Sequence, residues 1–238
     1  MADHIIYWLN VVSTAADLLL LLRFLQLRLS RAYTFVGLYF VVTVLLDGGF
    51  WLAGLHTPAS DRLFVYSRFV MAIVFPLAAW DVFEEVQEQT AKFRRLHSFR
   101  LLSGFLMAAL FALLFSAFFS SDEEVSGISG TTFQCALALW AISTVTSLLF
   151  LVNMRRSAHS QQLALPPNTR VLWVFLLTIL LSEIAQAIEL LVGPWVARFA
   201  DPIEIMFGII GIAVVLWCTI RLKRVASDEA APQSESVS

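Results

Sequence analysis

Seven apolar segments, each about as long as a bilayer is thick, fill most of this 238-residue chain. A hydrocarbon core of ~30 Å requires about 20 apolar residues in a helix, and only helices or closed barrels satisfy their backbone there. The sequence therefore predicts an all-α integral membrane protein, a bundle of seven transmembrane helices. The predicted spans are Ile5–Leu25, Ala32–Leu55, Leu63–Val82, Phe99–Phe119, Thr131–Asn153, Val171–Val192 and Pro202–Leu222.

The composition and the short connections limit what else the chain can contain. Hydrophobic residues make up 59% of the chain and charged residues 14%, which is incompatible with a soluble domain of this size. We expect one transmembrane domain over residues 1–225, in the cell membrane, followed by a disordered, acidic and Ser-rich cytoplasmic tail at 226–238. The bilayer is the expected partner, and no segment is suited to nucleic acid.

Basic residues are distributed unequally between the two sides of the predicted bundle. The connections after the first, third and fifth spans and the segment after the seventh hold 13 of the 16 Lys and Arg residues, when Arg23, Arg100 and Arg221 at the adjoining edges of the spans are included. The loop after the fourth span carries Asp122, Glu123 and Glu124 and no base. Because cytoplasmic loops are enriched in Lys and Arg, this asymmetry predicts an external N-terminus and a cytoplasmic C-terminus.

The end of the third span carries a cluster of charges that is typical of a helix projecting into the cytosol. Asp81, Glu84, Glu85 and Glu88 precede Lys92, and Glu88 and Lys92 have the i,i+4 spacing of a helical ion pair. The simpler interpretation is a solvated helix end, and the alternative is a docking site for a protein partner.

The first three and last three spans contain similar strings. Ser13–Leu19 aligns with Ser143–Leu149, and Thr43–Asp47 aligns with Thr178–Glu183. Because the first and fifth spans are predicted to run in the same direction, these matches suggest a weak parallel 3+1+3 internal repeat.

The fourth span carries small residues at every fourth position. These are Gly104, Ala108, Ala112 and Ser116. Small residues at this spacing allow helix backbones to approach closely in lipid. The face is either packed inside the bundle or used for a homodimer, and the sequence leaves both open.

Ionisable and polar residues within spans are the candidates for a functional site, because they are costly in a membrane and commonly line cavities or pair with one another. With the predicted orientation they lie from mid-depth to the outer side, and we expect them to line one outward-facing cavity that binds a ligand, a small cation or a proton. The candidates are Asp17, Asp47, Arg68, Glu183, Gln186, Glu189 and Glu204.

Charge balance within this predicted cavity points to two hypotheses. Five carboxylates accompany one guanidinium, so some must be protonated, hydrated or matched by a cation. Asp47 and Arg68, at similar depth on adjacent helices, are the predicted ion pair. Glu183, with Gln186 and Asp17 as neighbours, is predicted to titrate or to coordinate a cation; the alternative is that these residues are structural.

Several chemistries are excluded by the positions of particular residue types. The two lysines, Lys92 and Lys223, lie outside the spans, so no retinal Schiff base is expected, and the histidines lie at ends or in loops, where they cannot hold a haem. Gly127–Gly130 resembles the GxSG string of rhomboid proteases, but the sixth span has no histidine to complete the dyad, so we interpret it as a turn. No cofactor and no metal centre is predicted.

Three functions remain open from the sequence. The first is a small carrier or ligand-binding receptor whose acidic outer cavity accepts a proton or small cation. The second is a non-catalytic integral subunit or sensor that acts through protein partners. The third is an intramembrane acid/base enzyme, which has the least support because no nucleophile or metal is marked.

Overall fold

The computed structural model describes residues 2–54, 57–87, 124–125, 127–160, 162–192 and 197–224. Six long helices account for nearly all of these residues, and a short 3₁₀ turn at Leu29–Arg31 and a two-stranded hairpin complete them. The helices are α1 Ala2–Gln26, α2 Thr34–Ala53, α3 Pro58–Gln87, α4 Gly130–Ser160, α5 Pro167–Val192 and α6 Ala197–Arg221, and the strands are β1 Glu124–Val125 and β2 Ile128–Ser129.

Five of the helices contain stretches long and apolar enough to cross a membrane, which confirms the all-helical, multi-pass class. These stretches are Tyr7–Gln26, Thr34–Ala53, Pro58–Glu84, Gly130–Ser160 and Pro167–Ile188. They correspond to the first, second, third, fifth and sixth predicted spans. The apolar part of α6, Ile205–Arg221, is shorter. The fourth predicted span, Phe99–Phe119, lies outside the described residues.

The six helices form a ring in which each packs on its neighbour in chain order and α6 closes back on α1, while α5 also contacts α3. Antiparallel neighbours follow from short connections, but α3 and α4 are parallel. Val65 near the start of α3 packs with Ala136 near the start of α4, and Ala72 meets Ser143 further along. We call the end where α1, α3, α4 and α6 begin the proximal end, and the opposite end distal.

Buried aromatic side chains from four helices form a connected layer across the ring, which we call the aromatic layer. It consists of Phe24, Tyr39, Phe40, Phe75 and Phe175. The ring centroids of contacting pairs, such as Phe24 with Phe40 and Phe40 with Phe175, lie 5.1–5.9 Å apart. Such spacings are typical of attractive edge-on and tilted aromatic contacts. The layer fills the interior with apolar surface at this level.

Pro76 lies inside α3, and a residue of α4 compensates for it. Proline has no N–H, so the carbonyl of Ala72, four residues earlier, loses its helical donor. The hydroxyl of Ser143 donates to that carbonyl at 2.5 Å, and both residues are buried. Because an unpaired carbonyl is costly in a membrane, this hydrogen bond explains how a proline is accommodated in a spanning helix and ties α3 to α4.

Asp81 is buried, which corrects the interpretation of it as part of a solvated helix end. Its side chain is only 3% exposed, and one carboxylate oxygen accepts hydrogen bonds from the backbone N–H groups of Phe35 and Val36. These are the second and third residues of α2, whose N-cap residue, Tyr33, makes no side-chain capping bond. An acid on α3 thus caps α2, as a local Asp would ordinarily do. Glu84, one turn later, is exposed as expected.

Two further polar contacts join helices at the distal end. The hydroxyls of Tyr33 and Thr169 lie 3.0 Å apart, and both residues are fully buried. The side chain of Asn168 at the start of α5 both donates to and accepts from the backbone of Lys223, each at 2.9 Å. These contacts connect α2 to α5 and α5 to the end of α6.

The predicted turn at Gly127–Gly130 is right only for Gly127, which lies in the turn of a hairpin; Ile128–Ser129 form its second strand and Gly130 begins α4. Gly127 has a φ of 80°, a conformation that glycine adopts without strain. Val125 and Ile128 pair across the turn. Ser129 then caps α4, because its hydroxyl accepts from the N–H of Thr132 at 3.3 Å.

Candidate functional site

Four charged side chains lie at one level of the bundle, two helical turns proximal to the aromatic layer. Asp17 precedes Phe24 on α1, Asp47 follows Phe40 on α2, Arg68 precedes Phe75 on α3 and Glu183 follows Phe175 on α5, each by seven or eight residues. This separation corresponds to about 10–12 Å along a helix. We call the set Asp17, Asp47, Arg68 and Glu183 the polar layer.

Arg68 pairs with Glu183, and the predicted Asp47–Arg68 pair is wrong. Arg68 Nη1 lies 2.9 Å from Glu183 Oε2, and Arg68 Nη2 lies 2.9 Å from Gln186 Oε1, one turn further along α5. Arg68 is only 9% exposed and the side chain of Glu183 is 21% exposed. Similar depth on adjacent helices suggested Asp47, but the direction of each side chain around its helix decides the partner, and Arg68 faces α5.

Two aromatic rings enclose the guanidinium of Arg68. Its Cζ lies 4.1 Å from the ring centroid of Trp140 and 4.3 Å from that of Phe64, which are cation–π distances. Trp140 also donates its indole N–H to Glu183 Oε2 at 2.8 Å, so one carboxylate oxygen accepts from both residues. Trp140 therefore orients both members of the pair. The remaining nitrogen, Arg68 Nε, is buried without a hydrogen-bond partner in the described part of the chain.

Asp17 and Asp47 form the second part of the polar layer. The hydroxyl of Thr14 on α1 donates to Asp47 Oδ2 at 3.2 Å. Asp17, one turn distal to Ser13 on the same helix, lies close enough to Asp47 for the two carboxylates to interact electrostatically. Both acids are half-buried. Among the described residues, no Lys, Arg or His forms a salt bridge with either acid.

Tyr39 connects the two parts. Its phenol interacts electrostatically with Asp17, with Glu183 and with Asp47, while its ring belongs to the aromatic layer. Thr43 lies between Tyr39 and Asp47 at successive turns of α2, and its Oγ1 is buried. Tyr39, Thr43 and Asp47 are four residues apart and thus lie on one face of α2.

The remaining predicted site residues fall outside what the structure describes. Glu189 and Glu204 lie within α5 and α6 respectively, but their side chains are not among those described. The same holds for the whole small-residue face of the fourth span, Gly104, Ala108, Ala112 and Ser116, so the choice between internal packing and a homodimer stays a prediction.

Trp140 is the member of the site that the sequence reasoning missed. A tryptophan in an apolar span gives no charge signal. The signal that does exist is a polar stripe at helical spacing on α4, formed by Trp140, Ser143, Thr144 and Ser147, all buried. Such a stripe on a membrane helix indicates a face turned toward protein rather than lipid.

A cleft of about 270 Å³ opens beside this site near the proximal end. It is lined by Asp61, Phe64, Val65 and Phe133. Phe64 also contacts the guanidinium of Arg68, so the cleft lies next to the ion pair. The acids on α1 and α2 are not among the residues that line it. Within the described residues, no group of three or more His, Cys, Asp or Glu side chains is placed to hold a metal ion.

Fold and site together define a multi-pass α-helical membrane protein in which the polar layer lies proximal to the buried aromatic layer. Comparison with protein-family models, with curated proteins and with solved structures found no match to this chain. Its function therefore has to be inferred from the geometry.

Proposed function

We propose that this protein is a small carrier or ligand-binding receptor whose acidic, outward-facing site accepts a proton or a small cation. The observation that supports this most is the pair of acids on α1 and α2. Asp17 and Asp47 lie within electrostatic range of each other, whereas the one guanidinium of the polar layer is paired with Glu183. The proposal places the proton- or cation-accepting groups at Asp17 and Asp47 rather than at Glu183.

The charge argument rests on the cost of burying like charges. Two neighbouring carboxylates in a membrane bundle repel each other, and each loses part of its hydration. Thr14 offers a single neutral hydrogen bond to Asp47, which does not balance a second negative charge. A proton shared by the pair or a bound cation does balance it. Ionisable residues inside spans are commonly parts of such pathways.

We also propose that the bundle has seven spans. The described residues support this, because α3 ends at the distal end with Gln87 and α4 begins at the proximal end with Gly130. Phe99–Phe119 is the long apolar segment of the sequence between them, and we assign it as the additional span. With α6 as the last span, the two termini lie on opposite sides of the membrane.

The orientation proposed has the proximal end outside and the C-terminus in the cytoplasm, on the basis of the Lys and Arg asymmetry. A reporter active only in the cytoplasm, fused after Arg224, is expected to be active, and one inserted at Asp122–Glu124 is expected to be silent. The reverse pattern would overturn the orientation and place the polar layer toward the cytoplasm.

The function is tested by the thermal stability of the purified protein across a pH series and across Na⁺, K⁺ and choline concentrations. A ligand that binds only the folded state raises the unfolding midpoint. The wild type is expected to gain stability as protons or one small cation are added, and Asp17→Asn and Asp47→Asn are expected to lose this response. Glu84→Gln is the matched control, because Glu84 is an exposed acid at the distal end. Uptake into proteoliposomes then separates a carrier from a receptor.

The alternatives correspond to other results of the same experiment. If wild type and both Asp variants respond identically, the proposed site is wrong. Co-purification of a stoichiometric membrane or cytoplasmic protein would in that case favour the non-catalytic subunit or sensor. The acid/base enzyme loses support because Glu183 is committed to Arg68 and Trp140.

A further inference from the structure

We propose that Tyr39 is a further member of the proton- or cation-accepting site and forms its distal boundary, an inference that rests on the proposed function. Among the side chains of the aromatic layer, the hydroxyl of Tyr39 is the polar group. It therefore stands where a charged ligand meets apolar packing.

The packing around Tyr39 fixes the position of its ring. The residue is 6% exposed, and its ring lies 5.9 Å from Phe75 on α3 and 5.9 Å from Phe175 on α5. Phe40, the next residue, extends the contact to Phe24 on α1. Rings from four helices thus hold the phenol in the middle of the bundle, where rotation would disturb several contacts.

Acidic side chains from three helices act electrostatically on the phenol of Tyr39. Asp17 on α1, Asp47 on α2 and Glu183 on α5 interact with it electrostatically, and Arg68 on α3 is paired with Glu183. A phenol both donates and accepts hydrogen bonds, so its hydroxyl can change its hydrogen-bond partner when the charge of the acids changes. When a proton or cation neutralises Asp17 and Asp47, Glu183 remains the carboxylate to which the phenol is attracted.

Thr43 lies one turn from Tyr39 toward the proximal end of α2, and its Oγ1 is buried. A buried hydroxyl beside a phenol and a carboxylate supplies a further oxygen to a small cation. The other side chains of the aromatic layer, at the level of Tyr39, are hydrocarbon rings. The boundary of the site therefore coincides with the phenol oxygen.

The test removes the hydroxyl and keeps the ring. Tyr39→Phe is compared with Tyr33→Phe, a matched control because Tyr33 is also buried and its hydroxyl pairs with Thr169 at the distal end. The thermal unfolding midpoint is measured over H⁺ and Na⁺ concentration series for the whole chain. Tyr39→Phe is expected to change the concentration at half-maximal response by about three- to tenfold, the effect of one hydrogen-bond-strength interaction. Tyr33→Phe is expected to lower all midpoints equally.

The outcomes separate this inference from the proposed function. If the response that depends on Asp17 and Asp47 exists but Tyr39→Phe only shifts all midpoints in parallel, the inference fails and the site stands. If no such response exists in the wild type, the site and the inference fail together. Thr43→Val is a second variant that keeps the side-chain shape and removes the neighbouring hydroxyl; it is also expected to change the half-maximal concentration, and a parallel shift there would count against the boundary at Tyr39.

Discussion

Breaking the Arg68–Glu183 pair is expected to be among the most destabilising single changes in this protein. Removal of one partner of a buried pair leaves an uncompensated charge and costs about 3–5 kcal/mol. Arg68 is 9% exposed and Glu183 is 21% exposed at the side chain, so the lower end of this range, ~3 kcal/mol, is expected for Glu183→Gln. Arg68→Gln is expected to cost more, because it also removes the contacts with Gln186 and the two rings.

The assay is a double-mutant cycle on the free energy of unfolding, measured by titration of mixed micelles with a denaturing detergent. The double variant Arg68→Gln/Glu183→Gln is expected to cost at least ~1 kcal/mol less than the sum of the single variants, since it leaves no unpaired charge. The cycle of Arg68→Gln with Asp47→Asn is the control and is expected to be additive within about 0.5 kcal/mol. Additivity of Arg68 with Glu183, or strong coupling with Asp47, would refute the assignment of the pair.

Three further changes test how the helices are held together. Ser143→Ala is expected to lower the free energy of unfolding by about 1–2 kcal/mol, because it leaves the Ala72 carbonyl unpaired. In a Pro76→Ala protein, which regains the helical N–H donor, most of this loss should disappear. A loss of the same size in the Pro76→Ala protein would contradict the explanation. Asp81→Ala is expected to lower the free energy of unfolding by about 1–2 kcal/mol, because α2 loses its cap. Glu84→Ala, at an exposed position nearby, is expected to change it by no more than about 0.5 kcal/mol. Equal effects of the two variants in chemical denaturation would count against the cap. Trp140→Phe keeps a ring over the guanidinium but loses a hydrogen bond to a charged group, so the free energy of unfolding is expected to fall by about 1.5–3 kcal/mol. An unchanged free energy in the same titration would show that the indole N–H is dispensable.

The sequence was sufficient for the class of fold. Hydropathy over about 20 residues locates a span with little ambiguity, because the membrane imposes one length on every helix. The presence of a span depends on one helix at a time, which is why it can be predicted. The depths of the charged residues were predicted only as a range from mid-depth to the outer side, whereas Asp17, Asp47, Arg68 and Glu183 each lie seven or eight residues from a ring of the aromatic layer.

The pairing of those residues could not be predicted, because it depends on how each helix is rotated against the others. Asp47 and Arg68 share a depth on consecutive helices, yet Asp47 is directed toward Thr14 on α1 and Arg68 toward Glu183 on α5. Hydropathy carries little information about rotation when a helix is apolar on all sides. The polar stripe around Trp140 was the available clue to the rotation of α4.

The burial of Asp81 illustrates a second reason for failure. Acidic residues follow it from Glu84 onward, which is typical of a solvated helix end, and Glu84 is indeed exposed. The structure buries Asp81 because the first turn of α2 has N–H groups that need an acceptor. That demand arises from another helix, and the sequence around Asp81 contains no sign of it.

The central claim, that Asp17 and Asp47 hold a proton or a small cation while Glu183 is committed to Arg68, is tested most directly by carbodiimide labelling. Dicyclohexylcarbodiimide enters membranes and reacts with protonated carboxyl groups, and peptide mass spectrometry locates the product. The account predicts modification at Asp17 or Asp47, reduced by the small cation that stabilises the protein, and none at Glu183. Modification at Glu183 with Asp17 and Asp47 unreacted across the pH series would contradict it.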